Sequence, residues 1–274
     1  MFRTVTIAFF IGSFLLLSGA AEALVTVHPL ESPNKEFKIE IGIGPIDQTS
    51  ARVYYKGKKM LELHGLGFQL DNGEFIPTPL ISKEFIGRTR TREEKINVIK
   101  RVSGGPVLPS TRVVRNAEEP SLNYNESVVE YIGLMKIIFR AYDSRIEFCY
   151  EFETKANEPI KIKQELTTFV FDGDYLTRAP YAPPAQSDEK IKKVPMSEIP
   201  KEGCYCPLFV VLPDGPTLAL IGSMDFPTFP LMRFQPGEQQ NSVTVLYDHE
   251  VVIRGTGKPY RSPWRSINLG AFSP

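Results

Sequence analysis

Arg145–Thr154 reads RIEFCYEFET, and this stretch decides the fold. Ile146, Phe148, Tyr150 and Phe152 fall on one side of a two-residue period, and Glu147, Glu151 and Glu153 fall on the other. That period is a β-strand with one buried face. Cys149 lands on the polar side of the alternation.

The same pattern spreads outward along the chain. EFKIEIGI places Phe37, Ile39, Ile41 and Ile43 on one face, with Lys38 and Glu40 opposite. ARVYYKGKKMLEL reads as two strands around a Lys56-Gly57 turn, and LGFQLDNGEF as a strand entering an Asp71-Asn72-Gly73 hairpin. MKIIFRAY, ELTTFVFDGD, LFVVLPDGPTLALIG and SVTVLYDHEVVI add strands, the last turning near Asp248-His249. Helical pattern is confined to TREEKINVIKRV and, more weakly, SDEKIKKVPMSEI, which Pro195 breaks. Proline gathers in Ala179–Pro200, which reads as a long surface loop because proline is excluded from central strands. Many strands without crossover helices predict an all-β chain, a large antiparallel sandwich with one or two short helices.

The chain has 274 residues, enough for one large all-β domain, and Lys+Arg and Asp+Glu both number 32. A neutral chain offers no global field for a polyanion, so no nucleic-acid partner is expected. Lys83–Arg101 is locally basic but carries only Phe85 as an aromatic, and a solvated face is the simpler reading. At the N-terminus, Arg3 precedes the apolar run Ile7–Leu17, and Ala21-Glu22-Ala23 fits the small-x-small cleavage rule. Residues 1–23 are expected to be a signal peptide cleaved after Ala23, leaving residues 24–274 as one exported β-sandwich domain with no membrane segment after cleavage. The compartment would be periplasmic or extracellular. In such an oxidising setting Cys149, Cys204 and Cys206 are candidates for a disulfide, with Cys149 bridging to one of the other two and leaving an odd thiol. Asn125-Glu126-Ser127 is a glycosylation sequon, relevant only in a eukaryotic host.

Catalytic patterns are sparse. His28, His64 and His249 read as surface or loop residues, and no nucleophile elbow, zinc-protease helix or phosphate loop is present. Glu147, Glu151 and Glu153 form a solvated strand face, whereas Glu165, just before LTTFVF, could point inward. An independent sugar epimerase would need a general acid and base, and the shortage of histidine argues against it. Tyrosine and tryptophan beside polar partners can also stack on sugar rings.

The order of the segments resembles the N-terminal domain of glycoside hydrolase family 97. SPNKEFKIEI, VYYKGKKMLELHGLGFQL, YNESVVEYI, KIIFRAYDSRIEFCYEFE, QELTTFVF and SPWRSINLG carry the likeness in sequence order. The resemblance implies a β-supersandwich like that of galactose mutarotases, placed ahead of a catalytic (β/α)8 barrel. It implies that complete enzymes are exported, calcium-dependent α-glucosidases or α-galactosidases whose catalytic carboxylates lie on the barrel. This chain, ending at the barrel's doorway, would then be non-catalytic by itself, a carbohydrate-binding or scaffolding domain, with no cofactor assigned to its own residues. The alternative is a subunit or truncated part of such an enzyme, joined to a barrel in cis or in trans. Trp264 and Arg265 would lie at the interdomain joint, and Glu189 is the nearest acid in the loop from which a family glutamate can reach the barrel's calcium. Gly222-Ser223 and Ser144-Arg145 depart from the family's usual acidic-small and Asp-Gly pairs, which implies relaxed constraint at the joint.

Overall fold

Antiparallel strands occupy most of residues 26–43, 49–77, 106–183, 191–213, 215–222 and 228–270, the residues that this computed structural model describes. The first run is Thr26–Glu31 (β1), Phe37–Ile43 (β2), Thr49–Tyr55 (β3), Lys58–His64 (β4), Phe68–Leu70 (β5), Phe75–Ile76 (β6) and Pro106–Val114 (β7). Tyr124–Tyr131 (β8), Met135–Tyr142 (β9), Arg145–Phe152 (β10), Ile160–Glu165 (β11), Thr168–Val170 (β12), Leu176–Pro180 (β13) and Ile191–Pro195 (β14) follow. Cys204–Tyr205 (β15), Leu208–Val211 (β16), Thr217–Gly222 (β17), Arg233–Pro236 (β18), Ser242–Leu246 (β19), Val251–Ile253 (β20), Tyr260–Arg261 (β21) and Arg265–Gly270 (β22) complete the set.

These strands make three sheets. An eight-stranded sheet runs β1-β2-β3-β4-β12-β19-β18-β15. A ten-stranded sheet runs β14-β13-β16-β17-β22-β10-β9-β8-β7, with β21 joined to β10. A four-stranded sheet runs β20-β11-β5-β6. The two large sheets face each other, β2 packing against β9 and β10. The result is the large antiparallel all-β sandwich that the strand pattern predicts.

The alternation in β10 explains the core. Ile146, Phe148, Tyr150 and Phe152 are all buried, as are Phe37, Ile39 and Ile41 of β2. Phe148 meets Phe139 and Phe169, and Phe68 meets Tyr150 and Phe152, so one aromatic layer ties the three sheets together. Edge-to-face and tilted ring pairs of this kind each contribute roughly 0.5–1.5 kcal/mol beyond area burial. The Lys56-Gly57 turn has positive φ at both residues, as a two-residue turn between right-twisting strands requires.

Several local expectations need correction. Ala179–Pro200 is not a loop throughout: β13 and β14 form an antiparallel ladder from Leu176↔Pro195 to Pro180↔Ile191. Both prolines end their strands, and β14 is an edge strand, where a missing N–H costs no ladder bond. In the expected helix SDEKIKKVPMSEI, residues 187–190 lie outside the described ones; of the rest, Ile191–Pro195 is this strand and only Met196–Glu198 is helical, as a single 3-10 turn. A second such turn is Pro120–Leu122. TREEKINVIKRV lies outside the described residues. The strands on either side of Asp248-His249 belong to different sheets, β19 to the eight-stranded and β20 to the four-stranded one.

Candidate functional site

Ser262-Pro263-Trp264-Arg265 enters the middle of the ten-stranded sheet, where β22 runs between β17 and β10. Strand alternation sends Arg265 to the inner face with Ile267, both buried. The Arg265 side chain is 2% exposed and the Glu165 side chain 0%. Arg265 Nε donates to Glu165 Oε1 at 3.0 Å, and its Nη2 donates to Glu165 Oε2 and, at 2.7 Å, to Tyr247 Oη. Its Nη1 donates to Ser262 Oγ at 2.8 Å and to the Pro263 carbonyl. Glu165 also accepts from Thr167 Oγ1 at 2.7 Å and from Tyr247 Oη, and Thr167 Oγ1 lies 2.5 Å from Tyr150 Oη. Each acceptor position of the carboxylate and each arm of the guanidinium is therefore used.

The elements explain this convergence. Glu165 ends β11 of the four-stranded sheet, Tyr247 follows β19 of the eight-stranded one, and Tyr150 and Arg265 belong to β10 and β22 of the ten-stranded one. Burial opposes the charge on Arg265, yet Glu165 and then Tyr247 hold its pKa above the usual guanidinium value. Burial, with Glu165 nearby, pushes the Tyr150 hydroxyl well above its ordinary range, and burial does the same to Tyr247. The inward-pointing reading of Glu165 is met, but its lone pairs are spent on a permanent cation and two hydroxyls. It is not a free acid or base.

Trp264 lies on the opposite, outer face. There the guanidinium carbon of Arg140 (β9) sits 4.2 Å from the Trp264 ring centre and 4.5 Å from that of Tyr124 (β8). The pairing registers make a row across four strands: Arg112↔Glu126, Glu126↔Arg140 and Arg140↔Glu147. Glu126 accepts from Arg112 Nη2 at 2.7 Å and from Arg140 Nε at 2.9 Å. One row along, Tyr124 pairs with Tyr142, ring centres 4.9 Å apart, and Arg145 stacks 3.8 Å from the Tyr142 ring while donating to Glu147. The predicted pair Trp264 and Arg265 is thus split by the sheet: only Trp264 faces outward, and Arg265 is an interior residue.

The remaining expectations resolve more simply. The three cysteines are free, buried thiols. Cys149 faces the outer side of β10 and Cys204 lies in the other large sheet, so a bridge from Cys149 to Cys204 or Cys206 is not formed. Burial pushes the thiols of Cys149 and Cys204 up to about 12 and that of Cys206 up to about 11. The Asn125 amide donates to the Glu31 carbonyl at 2.6 Å inside β8, beside a buried Glu126 and Ser127, so the sequon is strand rather than open loop. His64 Nε2 lies 3.1 Å from Glu62, and His249 is exposed in a turn. Among the described residues no three His, Cys, Asp or Glu side chains are grouped to hold a metal ion. Glu189, Ala21 and Ala23 lie outside the described residues. A notch of about 230 Å³ opens between Asp174, Ser197 and the Pro236–Ser242 turn, with no aromatic side chain in its lining.

A family model described as Glycosyl-hydrolase 97 N-terminal matches residues 30–272. The chain belongs to this family. No curated protein matches the sequence. Among solved structures, this glycosyl-hydrolase 97 N-terminal domain is similar to a Glycoside Hydrolase Family 97 enzyme from Pseudoalteromonas sp. strain K8 in complex with acarbose. The likeness has a TM-score of 0.64 at 17% identity over 89% of this chain and 35% of that one. The same enzyme as an E480Q variant with panose gives a TM-score of 0.64 at 17% identity, again over 89% of this chain and 35% of that one. A β-arabinopyranosidase gives a TM-score of 0.66 at 17% identity over 89% of this chain and 40% of that one. At this identity the likeness establishes the fold, and the chain spans little more than a third of the enzymes it matches.

The family's own sequence signals account for only part of the site. Arg140 and Tyr124 carry no chemical motif in the sequence, and Glu126 stands out only as the middle of the sequon. Their outward parity is readable in FRAYD and YNES, but the pairing that brings β8, β9 and β22 together is not.

Proposed function

We propose that this glycosyl-hydrolase 97 N-terminal domain is exported and non-catalytic by itself, and that it scaffolds a glycoside hydrolase barrel acting on an α-glucoside or α-galactoside. The observation that carries the reading is the state of Glu165. It is the one fully buried carboxylate among the described residues, and its oxygens are spent on Arg265, Thr167 and Tyr247. Glycoside hydrolysis needs two carboxyl groups about 5–10 Å apart across a reachable bond. Here the outward acids Glu126, Glu147 and Glu151 are each tied to an arginine. A barrel would find, on the outer face, Trp264 and Tyr124 held by Arg140, side-chain types enriched at protein interfaces.

The test is turnover by the purified chain. It should release no p-nitrophenol from p-nitrophenyl α-glucoside or α-galactoside, with or without calcium. Sustained release that survives repurification would overturn the reading. Calorimetry with maltose and melibiose separates scaffolding, which predicts silence at millimolar sugar, from direct carbohydrate binding.

A further inference from the structure

Trp264 is gripped from both sides of the sheet. On the inner side, Arg265 folds back and donates to Ser262 Oγ and to the Pro263 carbonyl, the carbonyl of the peptide bond that leads into Trp264. Ser262 is itself fixed to β10, its N–H donating to the Tyr150 carbonyl at 2.8 Å and its Oγ accepting from the Tyr150 N–H at 3.0 Å. On the outer side, Arg140 stacks on the Trp264 ring while Glu126 holds Arg140 by its Nε. Two guanidinium groups on opposite faces of one sheet therefore set the backbone and the ring of the same residue.

We infer that residues 262–265 form a two-sided bolt, in which the buried Glu165–Arg265 pair sets the orientation of Trp264 on the outer face. A buried ion pair of this kind is weak support for stability taken alone, and its best-attested use is to specify one arrangement among several. Glu165 fixes the guanidinium plane through two parallel hydrogen bonds, the guanidinium fixes the Pro263 carbonyl, and the ring then meets Arg140 at one angle. Glu165 and Tyr247 are positioning residues for Trp264, acting through Arg265 from two other sheets. Under the scaffold reading, the bolt presents Trp264 to the barrel, but the test needs no partner, so either idea can fail without the other.

Trp264 is the only tryptophan, so its fluorescence reports this residue alone. Glu165→Gln keeps the side-chain shape and removes the charge, and Tyr247→Phe removes one hydroxyl from the guanidinium's partners. Both should red-shift Trp264 emission and raise its quenching by acrylamide in the native state. Leu61→Ala truncates a buried β4 residue and should lower the melting temperature while leaving the emission unchanged. Arg140→Met sets the reference shift for an unstacked ring, and its effect combined with Tyr247→Phe should be non-additive. If Glu165→Gln does not fold, Tyr247→Phe decides alone. Unchanged emission in the folded variants, an equal shift in Leu61→Ala, or strict additivity with Arg140→Met would overturn the bolt.

Discussion

Two arginines in one sheet, on the strands that flank β10, lead opposite lives. Arg265 is 2% exposed and gives its donors to Glu165, Tyr247, Ser262 and Pro263. Arg140 is 18% exposed, shares Glu126 with Arg112, and rests between two rings. Both are ion-paired, yet the physics differs. Inside, a lost partner strands a charge in a low dielectric, and outside, water can replace much of what is lost. The role of a charge in this sheet is set by which face of the strand it occupies.

The inner arginine is the more costly one to lose. Arg265→Ala should lower unfolding stability in urea by about 3–5 kcal/mol, because Glu165 is left buried and unpaired. The double variant Glu165→Leu/Arg265→Met should be less destabilised than either Glu165→Leu or Arg265→Met alone, since no uncompensated charge remains. A loss under about 1 kcal/mol for Arg265→Ala, as for an exposed pair, would erase the distinction between the two arginines.

How much of this was legible follows from where each signal lives. The alternation of RIEFCYEFET gave the inner and outer faces of β10, and the Lys56-Gly57 and Asp71-Asn72-Gly73 turns gave their hairpins, because those signals are local. The fold was therefore largely readable. Glu165 and Arg265 are 100 residues apart, and nothing local pairs them. Their trace is only a charge at an inward position of each strand: Glu165 reads as inward, whereas Arg265 reads with Trp264 as part of the interdomain joint. The proline-rich 179–200 region misled because the rule against proline concerns central strands, and β14 is an edge. The outer row from Arg112 to Glu147 needed three strand registers, which a single sequence does not supply.

Cys149 lies between these two cases. It sits on the outward parity of β10 yet is fully buried, and burial pushes its thiol up to about 12 from the 9.0 of an unperturbed group. The folded value lies above the unfolded one. The stability tied to this proton is thus complete below pH 9 and drains as the unfolded chain ionises first between about pH 9 and 12. Each such thiol adds a slope of up to about 1.4 kcal/mol per pH unit across that window. Urea midpoints at pH 8.5 and 10.5 should therefore fall in the parent chain, and fall less in Cys149→Ala. An identical fall in both would mean that Cys149 is reached by water on the outer face and belongs with Arg140 rather than with the core.

The smallest effect tests the outer side. Arg112 is 65% exposed and donates to Glu126, a carboxylate that still holds Arg140 when Arg112 is gone. Arg112→Ala should therefore cost only about 0–1 kcal/mol, and the small difference should shrink further at high salt, where exposed pairs are screened. Arg140→Ala should exceed it, because it also uncovers the faces of Trp264 and Tyr124. Ranking the two by urea midpoint at low and high salt grades the outer face by depth. If Arg112→Ala proved as costly as Arg140→Ala, and salt-independent, the outer row would be behaving as a desolvated network. The contrast drawn from Arg265 would then reflect the number of partners rather than the side of the sheet.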